Sequence, residues 1–504
     1  MADFDPSSGP PSNKPASFRG DVLRLVSGTS IAQIASILAS PVLARLFAPE
    51  AFGIFALFSS VIGILAAVFT LEYELAVMLP QDDADAANLL MGTMGISSLF
   101  SLLTVPLVWL AGPALAQLLN APSLAYYLWL IPPLLLFGGI APGHPALNVW
   151  AGRTRRFTQI SITRVTGTVT STLAKLAAGF AGFNSGGGLI GGSLIGSIVT
   201  PLMLGWQIWR EDSRLFLKTV RFSRIWENLK RYRKFAIYNT PSALMNAVSW
   251  QAPSFLLSAF FSTSTVGFFA FSNQLLGVPM NLIGASISQA FFSHAAVADQ
   301  RGELAPLVES TFRRLVEYSF FPILILAVIG KELFLLVFGP PWTEAGVYTQ
   351  ILSLWVVFWF VSSPMAQLVN ILEKNEFFFG WNVAAAGSRA LSIWLGAVLG
   401  SPRLALMFYS ISGALVYGYL TFWILRKAGC SWHRIRGTLL QNLVIFAAGG
   451  GILLVLEAVQ PLAWVPVIAA AFLICIYYGY RLKDEPRIRS SLLRIGGLFG
   501  KFDQ

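Results

Sequence analysis

Phe47-Ala-Pro-Glu-Ala-Phe-Gly-Ile-Phe-Ala-Leu-Phe-Ser-Ser-Val-Ile-Gly63 is the stretch on which the architecture turns. It opens an apolar run over 52–72, long enough to cross about 30 Å of hydrocarbon as a helix. The pattern returns downstream. Phe261-Ser-Thr-Ser-Thr-Val-Gly-Phe-Phe-Ala-Phe-Ser-Asn-Gln-Leu-Leu-Gly277 aligns with it without a gap at an offset of 214, with five of seventeen positions identical. A second echo follows at an offset of 218, where Gly112, Leu115, Leu118 and Pro122 match Gly330, Leu333, Leu336 and Pro340. Two matches in order, at nearly one offset, indicate an internal duplication.

Outward from these copies the chain is apolar almost throughout. Of its 504 residues 55% are hydrophobic and 12% charged, and the mean hydropathy is +0.66. Soluble domains carry about 25% charged residues, so lipid is the main solvent here. Spanning helices are expected at 22–44, 52–72, 87–110, 123–142, 157–180, 189–209, 235–261, 265–291, 314–338, 346–371, 377–399, 404–425, 438–457 and 464–481. Pro132 and Pro133 interrupt the fourth and Pro279 the eighth. The offset covers six helices and preserves orientation, which makes the repeat a parallel one, as in transporters that rock two lobes about a central cavity. The expected fold is therefore an all-α polytopic membrane protein of about 14 transmembrane helices: two pseudo-symmetric six-helix lobes plus a C-terminal helix pair. The corresponding domains are a disordered tail at 1–20, an N-terminal lobe at 21–210, a basic linker at 211–234, a C-terminal lobe at 235–427, accessory helices at 435–482 and a basic tail at 483–504.

Charge asymmetry tests that topology. With an even helix count, 29 of the 35 Lys and Arg fall on the side of the termini. Only Arg45, Lys331 and Arg403 fall opposite, and three lie inside helices. The split favours cytoplasmic termini. Residues 1–17 carry Asp3, Asp5 and four prolines and no apolar core, so they do not read as a signal peptide.

Other classes lack their signatures. Cys430 and Cys475 have no metal-ligand spacing, and His144, His294 and His433 are scattered. No HExxH, Walker or GxSxG pattern occurs, and the outside loops are too short for a membrane glycan polymerase or ligase. The reading is of a non-enzyme with no cofactor and no metal. The net charge of +11 sits between apolar runs, as topology demands, and does not point to nucleic acid.

Ala44-Arg-Leu-Phe-Ala-Pro-Glu-Ala-Phe-Gly-Ile-Phe-Ala-Leu57, Glu72-Tyr-Glu-Leu-Ala-Val-Met-Leu-Pro80, Leu336-Val-Phe-Gly-Pro-Pro-Trp342 with Ala345, and Glu373-Lys-Asn375 form a further pattern. Over most of 20–430 it resembles the multidrug/oligosaccharidyl-lipid/polysaccharide (MOP) exporter superfamily, and within it the Wzx-type polysaccharide-repeat flippases. The resemblance implies two six-helix lobes in a V, alternating access, a bacterial cytoplasmic (inner) membrane location and a polyprenyl-pyrophosphate glycan as substrate, among membrane lipids. A polysaccharide polymerase or other synthesis-complex protein is a possible partner on this reading.

Ionisable residues within spans are functional candidates by default. Arg164 and Lys175 are eleven residues apart on one helix, almost three turns, and share a face with Thr168, Ser171 and Thr172. Arg389 shares a face of its helix with Asn382 and Ser392. These two helices are repeat mates, so both stripes are expected to line one cavity and offer cations to phosphate or carboxylate oxygens. The plain alternatives are that Lys175 snorkels to the outer interface and that Arg164 belongs to the basic belt. Asn246 and Asn273 lie on polar stripes suited to sugar hydroxyls, or to interhelical hydrogen bonds. Glu72 and Glu317, near helix ends, are candidates for coupling to H⁺ or Na⁺. The absence of a mid-span carboxylate favours an anionic substrate. The expected function is a flippase for an undecaprenyl-pyrophosphate-linked oligosaccharide, such as an O-antigen, exopolysaccharide or capsule repeat unit. A MATE-like multidrug exporter and a lipid-II-type flippase are the alternatives.

Overall fold

The computed structural model describes residues 33–137, 144–280, 284–459 and 462–483; the expected tails and the start of the first span lie outside these. Among the described residues all regular structure is helical. Hydrocarbon offers backbone groups no partner, so a chain this apolar must satisfy them within each segment. Eight helices among the described residues are long and apolar enough to cross a membrane: Pro49–Ala66, Asp83–Leu118, Gly186–Thr219, Leu304–Val337, Pro340–Ile371, Pro402–Lys427, Trp432–Val459 and Trp464–Arg481. Three more, Phe157–Phe180, Thr240–Phe260 and Asn375–Val398, have 24, 21 and 24 residues and a more polar composition. The chain is a multi-pass membrane protein.

In chain order the helices are α1 (Gln33–Leu46), α2 (Pro49–Ala66), α3 (Tyr73–Ala76), α4 (Asp83–Leu118), α5 (Leu124–Leu128), α6 (Ile131–Leu136), α7 (Pro145–Arg153), α8 (Phe157–Phe180), α9 (Gly186–Thr219) and α10 (Phe222–Arg231). A π-turn at Phe235–Asn239 leads into α11 (Thr240–Phe260), followed by α12 (Thr263–Leu276), α13 (Ala285–Arg301), α14 (Leu304–Val337), α15 (Thr343–Met365), α16 (Gln367–Ile371), α17 (Asn375–Val398), α18 (Pro402–Lys427), α19 (Trp432–Val459) and α20 (Trp464–Lys483). The expected continuous helix over 123–142 is divided between α5 and α6, with Pro132 and Pro133 at the start of α6. Proline cannot donate to the preceding turn. The one expected over 265–291 is interrupted at Gly277, which caps α12, and Pro279 lies two residues beyond that interruption.

The chain divides into two compact units. The first contains Phe58–Gln117, Pro122–Val248 and the described residues up to Leu46. The second contains Phe47–Leu57, Leu118–Ala121 and the described residues from Ser249 onward. The division thus falls within α11.

In the first unit a core forms around Trp150, Leu89, Leu90, Ile160, Leu204, Ile208 and Phe216. Beside it, Asp212 accepts hydrogen bonds from both terminal nitrogens of Arg156, at 2.6 and 2.7 Å, and from Trp150 Nε1 at 2.8 Å. Arg153 pairs with Asp83 at 2.8 Å. Helices α8 and α9 run against each other with almost no side-chain spacer. A Cβ on Gly192 would stand 2.6 Å from the Lys175 backbone nitrogen, and one on Gly167 or Gly196 would overlap the facing helix. Small residues at the contact are how membrane helices approach closely without a hydrophobic drive.

In the second unit the two copies of the repeat meet. A Cβ on Gly53 would overlap the Thr263 carbonyl, and a Cβ on Gly267 would overlap the Pro49 carbonyl. Gly53 and Gly267 are repeat mates, as are Pro49 and Thr263, so the contact is reciprocal, as a pseudo-two-fold relation requires. The Leu336–Trp342 motif also acquires a role. Gly339 has φ +96°, a conformation that favours glycine, and turns the chain into Pro340–Trp342. Trp342 is then fully buried against Phe271 at 4.5 Å and Phe52 at 4.9 Å between ring centres. Helices α19 and α20 pack on α14, where Tyr477 stacks on Phe321 at 4.6 Å.

Candidate functional site

Two hydroxyls of α8 are satisfied locally. Thr163 donates to the Gln159 carbonyl at 3.0 Å and Thr172 to the Thr168 carbonyl at 2.9 Å. This back-bonding lets Ser and Thr sit in a membrane helix while their oxygens remain able to accept. Across the glycine contact, α9 presents Ser193, Ser197 and Thr200, at spacings of four and three residues that place them on one face. Between the helices lies a cavity of about 220 Å³. Arg164, Thr168, Ser171, Thr172 and Lys175 line it from α8; Ser193, Ser197 and Thr200 line it from α9; and Ser36 closes it from α1. Its lining contains no carboxylate.

The cations dominate this cavity. Arg164 is half-buried, and its Nε is buried with no hydrogen-bond partner. A buried donor left unpaired costs about 1–3 kcal/mol, a cost that an anionic ligand would relieve. Lys175 sits about 16 Å further along the helix axis, with its backbone against Gly192. A guanidinium, an ammonium and a ring of hydroxyls suit an oxyanion that also carries hydroxyl groups. Among the described residues no three His, Cys, Asp or Glu side chains gather as a metal site needs.

The family model for polysaccharide biosynthesis proteins matches residues 42–347. The chain belongs to that family. No curated protein matches it. Among solved structures this family member is similar to the lipid II flippase MurJ in an inward closed conformation, with a TM-score of 0.68, 13% identity, and 92% of this chain and 99% of that one covered. It is also similar to a MATE family multidrug transporter of the MOP superfamily in an inward-facing conformation, with a TM-score of 0.52, 13% identity and coverages of 80% and 94%. A point mutant of the Vibrio cholerae MATE transporter VcmN gives 0.52, 13%, 81% and 96%. At this identity the likeness concerns the fold. Family and fold together make the chain a MOP-type transporter.

The other expected residues of this polysaccharide biosynthesis family member lie elsewhere. Arg389 is 5% exposed. Its guanidinium donates to Ser249 Oγ at 3.0 Å and to Tyr417 Oη at 2.7 Å, and its centre lies 4.4 Å from the Trp250 ring centre. Ser392 bonds Ser412 at 2.9 Å, and Asn382 donates to the Phe378 carbonyl at 2.9 Å. Asn246 is exposed and Asn273 half-buried on their helices. Glu317 is held between Arg313 and Arg481, each at 2.9 Å. Glu72 lies outside the helices, at φ +59° in the turn before α3. Burial, with the Glu74 carboxylate beside it, holds its carboxyl above the ordinary value. The structure therefore brings together Arg164, Thr168 and Lys175. Ser36, Ser193, Ser197 and Thr200 were not singled out from sequence, although the Gly188, Gly192, Gly196 and Thr200 series at four-residue spacing announces a close helix contact.

Proposed function

We propose that the protein is a flippase that moves an undecaprenyl-pyrophosphate-linked oligosaccharide across the bacterial cytoplasmic membrane by alternating access. The observation that carries the proposal is the α8–α9 cavity: two cations, one with an unpaired buried nitrogen, among hydroxyls and no carboxylate. Such a cavity complements a pyrophosphate and its first sugar. It repels a cationic drug, which disfavours export of the MATE type. In this account Arg164 binds phosphate oxygens by its planar fork, Lys175 adds a point charge, and the hydroxyls accept from and donate to the sugar. The polyprenyl tail stays in lipid.

Arg389 is assigned a positioning role. Its contacts tie α17 to Ser249 and Trp250 of α11 and to Tyr417 of α18. The test is flux of a labelled undecaprenyl-pyrophosphate glycan into proteoliposomes, run with an Arg164→Gln chain and with a tetraalkylammonium dye as competitor. The glycan should move, the variant should lose flux, and the dye should not compete. Dye transport without glycan transport overturns the proposal.

A further inference from the structure

Helix α10 is bound to the first unit along one side only. Tyr73 Oη donates to the Leu229 carbonyl at 3.0 Å, Asn228 Nδ2 to Asp85 at 3.3 Å, and the Arg221 backbone nitrogen to Asn88 Oδ1 at 2.9 Å. Ile225 and Leu229 pack against Gly92 of α4. The adjoining stripe has no protein partner among the described residues: Phe222 is 83% exposed and Trp226 65%. These two residues, four apart, point the same way. Exposed on and just beyond the helix are Arg221, Arg224, Lys230, Arg231, Arg233 and Lys234, with Glu227 as the only acid in 221–234.

Depth identifies what covers the stripe. Helix α9 has 34 residues and α4 has 36, about 50 and 54 Å at 1.5 Å per residue. Both exceed the hydrocarbon thickness of about 30 Å, so each must overrun it at one end or both. Trp206 and Trp209 on α9 are exposed at 69% and 49%, immediately before Arg210. That is the aromatic belt followed by the basic residues that mark a head-group layer. Two apolar side chains flanked by cations are too small a patch for a stable protein interface, and they fit a lipid surface.

We infer that α10 is an anchor on the membrane surface: Phe222 and Trp226 insert among the head groups of the leaflet next to α10, and the surrounding Lys and Arg hold anionic lipid there. Each surface cation adds attraction toward an anionic leaflet. Held by Tyr73, Asp85 and Asn88, the helix connects the lipid surface rigidly to α4, so lipid charge becomes an input to this unit. The inference rests on the membrane reading and not on the substrate, so its failure leaves the flippase proposal standing.

The test uses the full chain with Cys430 and Cys475 replaced and an environment-sensitive fluorophore on Phe222→Cys, or on Trp226→Cys as a second reporter. Glu227→Cys, off the apolar stripe, is the control. In phosphatidylglycerol-containing vesicles a shallow spin-labelled lipid should quench the 222 and 226 labels several-fold more than the 227 label. That difference should shrink in pure phosphatidylcholine and as salt is raised from about 0.1 to 1 M, which cuts the Debye length from about 10 to 3 Å. Equal quenching at 222, 226 and 227 overturns the anchor, and so does protection of 222 and 226 that appears only when a soluble protein is added. Quenching that ignores lipid charge and salt overturns the anionic specificity.

Discussion

At the residue scale Arg164 and Arg389, two of the three cationic candidates in the membrane, part company. Arg164 faces a hydroxyl-lined cavity with an unpaired nitrogen, whereas Arg389 is enclosed by Trp250, Tyr417 and Ser249. Arg389→Ala should therefore act first on stability, by on the order of 2 kcal/mol from lost charged hydrogen bonds and cation–π contact. The checks are a lower Tm in detergent and glycan KM unchanged in whatever protein stays folded. Glu72 supplies a pH signature. Its carboxyl titrates higher in the fold than in the unfolded chain, so the fold favours the protonated form. Its contribution is complete below the unfolded value and is lost as pH rises through the raised one. Glu72→Gln should raise Tm at about pH 7.5 and leave it unchanged near pH 4; an equal shift at both values contradicts this.

At the element scale the packing rests on glycine. Gly53 and Gly267 allow α2 and α12 to touch backbone to backbone. Gly53→Ala or Gly267→Ala should cost about 1–3 kcal/mol by overpacking, measured by thermal denaturation, with the double variant less than additive because both changes separate the same helices. Helix existence was legible from apolar runs: 157–180 coincides with α8. Helix ends were not. Sequence placed 87–110, 189–209 and 314–338, where the structure has Asp83–Leu118, Gly186–Thr219 and Leu304–Val337. Hydropathy reports depth in lipid, while a helix ends where its backbone bonds end, and these overrun the lipid. Within the site, the α8 stripe followed from helical period alone. The α9 hydroxyls and the aromatic enclosure of Arg389 did not, because they come from other helices; Ser249 and Arg389 are 140 residues apart in the chain.

At the scale of the whole molecule, topology and ligand charge are the properties open to test. The asymmetry of Lys and Arg predicts that Ser223→Cys reacts with an impermeant maleimide only from the cytoplasm, and Phe183→Cys only from outside, each in a chain lacking Cys430 and Cys475. Reaction from the same side would overturn the topology. The duplication first visible as two seventeen-residue stretches reappears as a reciprocal glycine contact, which ties the repeat to packing.

The central claim is that the α8–α9 cavity binds the anionic head of a lipid-linked glycan. Its most direct test is flux of labelled undecaprenyl-pyrophosphate oligosaccharide into proteoliposomes for the parent chain, Arg164→Gln and Lys175→Gln, all confirmed folded. Loss of one charged hydrogen bond costs about 1.5–3 kcal/mol, so the account predicts an initial rate at sub-saturating glycan reduced roughly tenfold or more in each variant. Parent-level flux in both variants would contradict it.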